Sequence, residues 1–290
     1  MSQIDVSIII VNWKVRHLLE QCLNSVIADC KDFKTEIFVI DNDSRDGTPE
    51  MVMAEYPDVT MISLPKNRGF AAANNLGLRQ AKGKYLFLLN PDTEVQPGFF
   101  RATLDYLDQH NEVGILGPRI LNPDYSLQPS VRRDPKFWSQ LLILLKIRNL
   151  WPNNRIFKHY FAKDFDYNQE QDAEQILGAA MFITRETFEK IGLLDEKFFV
   201  WFEEVDYCRR ARKRGVVIRY LPSAHLIHHG GSSFAKQQNF KKQIFFDASL
   251  FYYFCKHRPV WETLFILLII PLNLVVTFLY AWWLKHYKAN

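Results

Sequence analysis

The sequence predicts an α/β fold in which a mostly parallel sheet is covered by helices on both faces. Three observations carry that prediction. Apolar runs of strand length recur through the first third of the chain, segments of helical periodicity separate them, and each run ends among Asn and Asp residues. Strands buried on both faces read as nearly unbroken apolar runs, and the intervening helices supply the cover.

DVSIIIVNW (5–13) is the first strand, and Leu18, Leu19, Cys22, Leu23, Val26 and Ile27 follow at helical spacing. TEIFVIDN (35–42) is the second strand, after which Thr48-Pro49 opens a helix with a cap and an N1 proline. VTMISL (59–64) is the third, a helix from Phe70 to Lys82 stops at Gly83, and KYLFLLN (84–90) is the fourth. Open sheets of this kind bind ligands beyond the carboxyl ends of their strands. Polar clusters fall on that edge after every strand: Asn12; Asp41, Asn42 and Asp43; KNRGFAAANN (66–75), which holds Asn67, Arg68, Gly69 and Asn74; and NPDTE (90–94). Asn and Asp at strand ends can pair with a nucleobase edge or ribose hydroxyls, while Asn67, Arg68 and the amides around Gly69 can approach phosphate oxygens. Turn chemistry alone explains any one such cluster; four on one edge point to a site.

Composition narrows the ligand. The 290 residues are 48% hydrophobic, enough for a sizeable core in one large domain or two closely packed ones. A net charge of +4 is too small and dispersed to argue for nucleic acid, although it suits a phosphate-bearing partner. The four cysteines form no CxxC pair and no secretory signal opens the chain, so they read as reduced thiols in a cytosolic setting. VNWKVRHLL (11–19), at the first strand-to-helix turn, contains no glycine, and no G-x-x-x-x-G-K-[ST] occurs, which removes both dinucleotide and P-loop sites.

Asp92 suggests a metal. A diphosphate carries more negative charge than Arg68 offsets, and a divalent cation on carboxylate oxygen is the usual remedy. One carboxylate makes a poor cage. VVIRYL (216–221) reads as a strand followed by His225, His228 and His229, and imidazole beside carboxylate favours manganese over calcium. In FFVWFEEVDYCRRARKRG (198–215), Glu203, Glu204 and Asp206 follow an aromatic run and precede a basic helix ended by Gly215. The helix dipole favours carboxylates in a first turn, and aromatic neighbours raise a carboxyl pKa, as a general base requires.

VSIIIVNW, VIDNDSRDGT, NRGFAAANNLGL, LLNPDTEV, LGAAMFITRETFEKIGLLDEKFFVWFEEVDYCRRARKRG and HHGGSS, in that order between residues 5 and 233, together resemble glycosyltransferase family 2, in its rhamnosyltransferase and galactofuranosyltransferase subgroup. The resemblance implies a GT-A fold, a nucleotide-diphosphate sugar donor, a divalent metal (manganese or magnesium) and inversion at the anomeric carbon. It matches Asp92 to the last acid of the DxD motif and His228 to the distal metal histidine, with His229 as a substitute. Glu203-Glu204 matches the acidic pair holding the base, with Glu204 as the base and Glu203 shaping the acceptor pocket. Two departures stand out. Asn90-Pro91 replaces the earlier DxD acid, and Asn42 stands where many members carry the Asp that reads uracil, which makes thymine as plausible a base.

LFILLIIPLNLVVTFLYAWWL (264–284) is 21 residues interrupted only by Pro271, Asn273 and Thr277 and flanked by Lys256, His257, Arg258, Lys285 and Lys288. That length can span a bilayer, while Pro271 and positive charge at both ends fit a kinked or re-entrant segment equally well. A buried pair of core helices is the alternative. FWSQLLILLKIRNLW (137–151), with a tryptophan near each end, has the pattern of an interfacial helix.

The expectation is therefore a GT-A domain over 1–255, divided into a nucleotide-sugar half (1–121) and an acceptor and catalytic half (122–255), followed by a membrane-associated segment (256–290). The enzyme would work at the cytoplasmic face of the inner membrane, moving a sugar, first of all L-rhamnose from dTDP-rhamnose, to a lipid-linked or surface-glycan acceptor. UDP-galactofuranose or a UDP-hexose is the alternative donor. A non-catalytic nucleotide- or lipid-binding module is the rival from another class, and a nucleotidyltransferase would want more basic residues than Lys14 after the first strand.

Overall fold

A computed structural model of the chain describes residues 4–230 and 239–287. Its first part alternates as the apolar runs imply: β1 (Val6–Asn12), α1 (Arg16–Asp29), β2 (Thr35–Asp41), α2 (Thr48–Glu55), β3 (Val59–Ser63), α3 (Phe70–Gln80) and β4 (Tyr85–Leu89). Then come β5 (Thr93–Val95), α4 (Phe99–Gln109), β6 (Val113–Leu121) and β7 (Val131–Arg132). Short helices α5 (Phe137–Leu144), α6 (Ile147–Leu150) and α7 (Arg155–Tyr160) lead to β8 (Gln171–Asp172), β9 (Gln175–Ile176), β10 (Ala180–Thr184) and α8 (Arg185–Ile191). The chain continues through α9 (Glu203–Lys213), β11 (Val217–His228), α10 (Asn239–His257) and α11 (Val260–Tyr287).

The main sheet runs β3-β2-β1-β4-β10-β6-β11-β5, with β8 also on β11. Strands β3, β2, β1 and β4 are parallel, as are β6 and β11, whereas β10 enters antiparallel between β4 and β6. Both faces are covered. Ile8 and Ile10 pack with Leu19, Cys22 and Val26 on one side, while Ile9 and Val11 pack with Ala71, Ala73 and Leu78 on the other. This two-sided burial is why β1 reads as an unbroken apolar run.

A third core is aromatic and helical: Phe137, Phe198, Phe202, Leu250, Tyr253, Phe254 and Ile266 join α5, the turn before α9, α10 and α11. The segment 137–151 is two short helices rather than one, because Lys146 takes a left-handed conformation (φ 58°) between them. The run 264–284 lies within the single helix α11, which continues through Pro271. Gly231, Ser232 and Ser233 of HHGGSS, and Lys288 of the tail's basic flank, lie outside the described residues.

Helix α11 is inverted relative to a helix on a water-soluble domain. Its polar Glu262, Thr263, Asn273 and Thr277 are buried, while Leu264, Leu268 (72% exposed), Leu272, Val275 and Leu279 face outward. Arg258 pairs with Glu262 at 2.6 Å, and Asn273 Nδ2 donates to the carbonyl of Leu144. Val260–Leu279 is long and apolar enough to cross a membrane.

Candidate functional site

The strand order turns at β1: β2 and β3 lie to one side, β4 to the other. A crevice opens at such a switch point beyond the strands' carboxyl ends. Here it is a cavity of about 230 Å³ whose walls include Trp13 after β1, Asn90 and Asp92 after β4, Glu203 and Glu204 on α9, and His228 at the end of β11. Asn42, Asn67, Gly69 and Gly178 complete its polar and glycine lining.

Asp92 sits between β4 and β5, and β5 pairs with β11 so that Thr93 opposes His228. That register brings His228 Nε2 to 3.3 Å from Asp92 Oδ1, with both side chains almost fully buried. Asn90 Nδ2 lies 3.5 Å from the same nitrogen. His229, the substitute ligand, lies just past the end of β11 and turns instead to Glu94, its Nε2 2.6 Å from Oε1. No group of three or more His, Cys, Asp or Glu forms a cage among the described residues. Two adjacent oxygen and imidazole donors nonetheless suit a manganese- or magnesium-type ion completed by diphosphate oxygens.

Glu203 and Glu204 are presented by a strained turn. Trp201 and Phe202 both take left-handed φ (63° and 70°), a conformation that costs bulky residues about 1–3 kcal/mol each. Neighbouring contacts pin it: Phe70 N donates to the Phe199 carbonyl at 2.7 Å, Ser249 Oγ to that of Val200 at 2.8 Å, and the Phe202 ring packs on Phe246 and Tyr253. Each glutamate leaves its Oε2 buried with no hydrogen-bond partner among the described residues. Burial, and then the neighbouring Glu204 charge, drive the Glu203 pKa well above the carboxylate range. Burial also raises Glu204, opposed first by a hydrogen bond from its own backbone N–H and then by the Arg132 guanidinium. Gly178 makes room for Glu204, since a Cβ there would lie 3.3 Å from Glu204 Cβ.

Asp206, in the same helical turn, faces away into a closed network. Arg210 Nε, Lys256 Nζ and His257 Nε2 lie 2.8, 2.7 and 2.6 Å from its carboxylate oxygens. Burial opposes ionisation, yet the bonds from His257, Lys256 and Arg210 outweigh it and hold the carboxyl at about 2.

The residues expected to hold a nucleotide divide into two groups. Asn42 and Asn67 face the cavity, but both brace the loop before α3. Asn42 Oδ1 accepts from Arg68 N at 2.8 Å, its Nδ2 donates to the Gly69 carbonyl at 3.2 Å, and Asn67 Oδ1 accepts from Gly69 N at 2.9 Å. Gly69 (φ 85°) is required twice over, because a Cβ would also come within 2.4 Å of the Phe199 carbonyl. Asn12, Asp41, Arg68 and Asn74 do not line the cavity. Asn12 Nδ2 bonds to Asp41, Ser44 and Thr48, knitting β1 to the β2–α2 loop, and Asn74 Nδ2 bonds to its own helix at the Phe70 carbonyl. Arg68 approaches Glu196 at 3.8 Å. Sequence reasoning missed Gln128, Arg132 and Gly178; the only one with a visible signal was Gly178, whose lack of a side chain admits Glu204.

The fold and the crevice at its switch point are those of the GT-A architecture. The chain belongs to glycosyl transferase family 2, whose family model matches residues 7–170. It is similar to an N-acetylglucosaminyl-diphospho-decaprenol L-rhamnosyltransferase of Mycobacterium tuberculosis, 29% identical over 68% of this chain and 67% of the relative. It is also similar to the dTDP-rhamnosyl transferase RfbF of Shigella flexneri, 22% identical over 74% of this chain and 66% of that one. The chain thus spans about two thirds of these relatives' length. Among solved structures, the mannosyltransferase PcManGT of Pyrobaculum calidifontis, in complex with GDP-Man and Mn2+, aligns with a TM-score of 0.55 and 18% identity over 96% of this chain and 74% of that one. GalNAc-T7 with UDP, GalNAc and Mn2+ aligns with a TM-score of 0.59 and 18% identity, covering 78% of this chain and 44% of that one.

Proposed function

We propose that the chain is an inverting, metal-dependent glycosyltransferase that moves L-rhamnose from dTDP-rhamnose to a lipid-linked acceptor at the cytoplasmic face of the inner membrane. The observation that carries the reading is one cavity holding two sets of groups: the Asp92–His228 pair, and two carboxylates each with a buried oxygen that has no partner among the described residues. The relatives' names favour rhamnose and a polyprenol-diphosphate acceptor.

In this reading the segment 1–121 holds the donor and 122–255 the acceptor. Asn42, Asn67 and Gly69 shape the donor wall, Arg68 adds positive charge near it, and Asn12, Asp41 and Asn74 hold the surrounding loops. Asp92 and His228 would hold manganese or magnesium, which supplies charge neutralisation for the departing diphosphate. Glu203 keeps its proton, because its pKa is driven well above the usual range, and so spares Glu204 a second negative charge. Glu204, whose rise Arg132 restrains, is the base. It takes the acceptor hydroxyl's proton as that oxygen bonds to the anomeric carbon; the bond from that carbon to the diphosphate oxygen breaks, and its electron pair leaves with dTDP. The outward apolar face of α11, with Trp138 and Trp151 exposed on the neighbouring α5–α6 segment, would rest in the bilayer carrying the acceptor.

The test is transfer to a polyprenol-diphosphate sugar, comparing dTDP-rhamnose, UDP-galactofuranose and UDP-glucose with and without EDTA. Turnover of dTDP-rhamnose that EDTA abolishes and MnCl2 restores supports the reading. Full activity in the chelated enzyme removes the metal, and preference for another donor removes rhamnose.

A further inference from the structure

We propose that Gln128 is a positioning residue that holds neutral His228 in the form protonated on Nδ1, so that the Nε2 lone pair is turned toward Asp92. The inference rests on the metal-dependent reading above only for its purpose; its geometry stands on a chain of hydrogen bonds whose direction is forced at each step.

The chain begins in the hairpin after β6. Asn122 N donates to the Ser126 carbonyl, Tyr125 N to that of Asn122, and Leu121 pairs with Leu127, so residues 122–126 reverse tightly. The reversal returns Gln128 beside β6, its N–H donating to the Ile120 carbonyl. Because Leu121 of β6 is in register with Ile227 of β11, Gln128 arrives next to His228.

At the far end, Asp124 Oδ1 accepts from Ser126 N at 3.0 Å and from Ser126 Oγ at 2.5 Å. With its proton committed, Ser126 Oγ accepts from Asn122 Nδ2 at 2.9 Å. That turns Asn122 Oδ1 to Gln128, whose Nε2 donates to it at 2.8 Å and to the His228 carbonyl at 3.4 Å. Gln128 Oε1 therefore faces His228 Nδ1, at 2.6 Å. An amide oxygen only accepts, so Nδ1 carries the hydrogen and the neutral ring has a bare Nε2. Reversing the Gln128 amide would set its oxygen against the Asn122 side-chain oxygen and the His228 carbonyl, acceptors with no hydrogen between them. The relay runs one way.

The consequence is at the cavity. Nε2 sits 3.3 Å from Asp92 Oδ1 and 3.5 Å from Asn90 Nδ2, so when the ring is neutral two acceptor atoms converge beside one distant amide donor, and a cation between the two acceptors completes the arrangement. Had Nε2 carried the proton, His228 would donate to Asp92 and close the pair against a metal.

The experiment reads the tautomer directly, by two-bond ¹H–¹⁵N correlation of the His228 ring in metal-free protein at a pH where the ring is neutral. Mn2+ binding in the presence of dTDP is followed in parallel by electron paramagnetic resonance. Wild type is expected in the Nδ1–H form. Gln128→Leu should move the ring to Nε2–H and weaken Mn2+ binding by roughly 10–100-fold, the usual effect of losing an outer-shell partner. Asn122→Ala, which removes the group orienting Gln128, should give a partial shift, and it serves if Gln128→Leu does not fold. A wild-type ring in the Nε2–H form, or an unchanged tautomer in both variants, overturns the proposal. His228→Ala separates the readings: if it binds Mn2+ with dTDP as tightly as wild type, the metal role of His228 is lost, while the spectra still decide the relay.

Discussion

Two sides of a single helical turn meet opposite fates in this protein. On the cavity side of α9, Glu203 is buried and Glu204 half-buried, each with a buried Oε2 that has no partner among the described residues and each with a raised pKa. On the other side, Asp206 is fully buried but held by three basic groups, two of them from α10, and its pKa falls to about 2. Burial is common to both, so partners decide. One side stores unfavourable electrostatics, and the other anchors α9 to the C-terminal helices.

The comparison can be broken most forcefully at Glu204. Glu204→Gln should lower kcat by about 10²–10⁴-fold, the range for a lost general base, while donor affinity is kept. If Glu203→Gln abolishes turnover and Glu204→Gln does not, the two roles are exchanged. Asp206→Asn should instead cost about 2 kcal/mol of stability, because it removes the carboxylate shared by Arg210, Lys256 and His257. A thermal melt checks this, and an unchanged Tm would mean the network is idle.

The pH dependence sharpens the contrast, because the two sides carry opposite signs. A raised carboxyl makes the folded protein less stable as pH climbs from the ordinary value near 4.5 through the raised one, so Glu203→Gln should melt higher than wild type at pH 8 and converge with it at pH 4. Asp206 contributes about 2 kcal/mol above pH 3.8, lost as pH falls toward about 2. The smallest effect on stability belongs to the tail. Leu268→Asp should change it by no more than about 0.5 kcal/mol, since the residue is exposed, yet should reduce co-sedimentation with anionic lipid vesicles. Undiminished vesicle binding would take the bilayer away from this face.

Legibility followed the same division between what a segment does to itself and what distant segments do to it. The strands β1 to β4 were readable because burial on both faces leaves an unbroken apolar signature. β10 was not read as a strand: AMFIT is short, and its antiparallel insertion is set by β4 and β6. Asp92, Glu203, Glu204 and His228 were legible as residue types at strand and helix ends, and they do share one cavity. That His228 reaches Asp92 while His229 turns to Glu94 needed the pairing of β5 with β11, and Gln128 needed the pairing of β6 with β11, neither of which has a local sign. Asn12, Asp41 and Asn74 are of residue types that hold loops together as readily as they hold nucleotides, and here Asn12 bonds to Asp41 and Asn74 to its own helix. The tail's apolar run was plain, but its inverted polarity appears only when Glu262 and Asn273 are seen buried.

The position of β10 has a consequence for how the chain is made. Phe182 pairs with Phe87 on one side and Leu116 on the other, so β4 and β6 meet only through a strand synthesised long after both. Until residue 184 has left the ribosome, β4 and β6 each present an open, apolar edge, the feature most prone to pair with another chain. Late closure by distant contacts also slows folding. The nascent protein therefore passes through an interval of open sheet edge that a chaperone would cover, and a fragment ending at β6 should be found in aggregates.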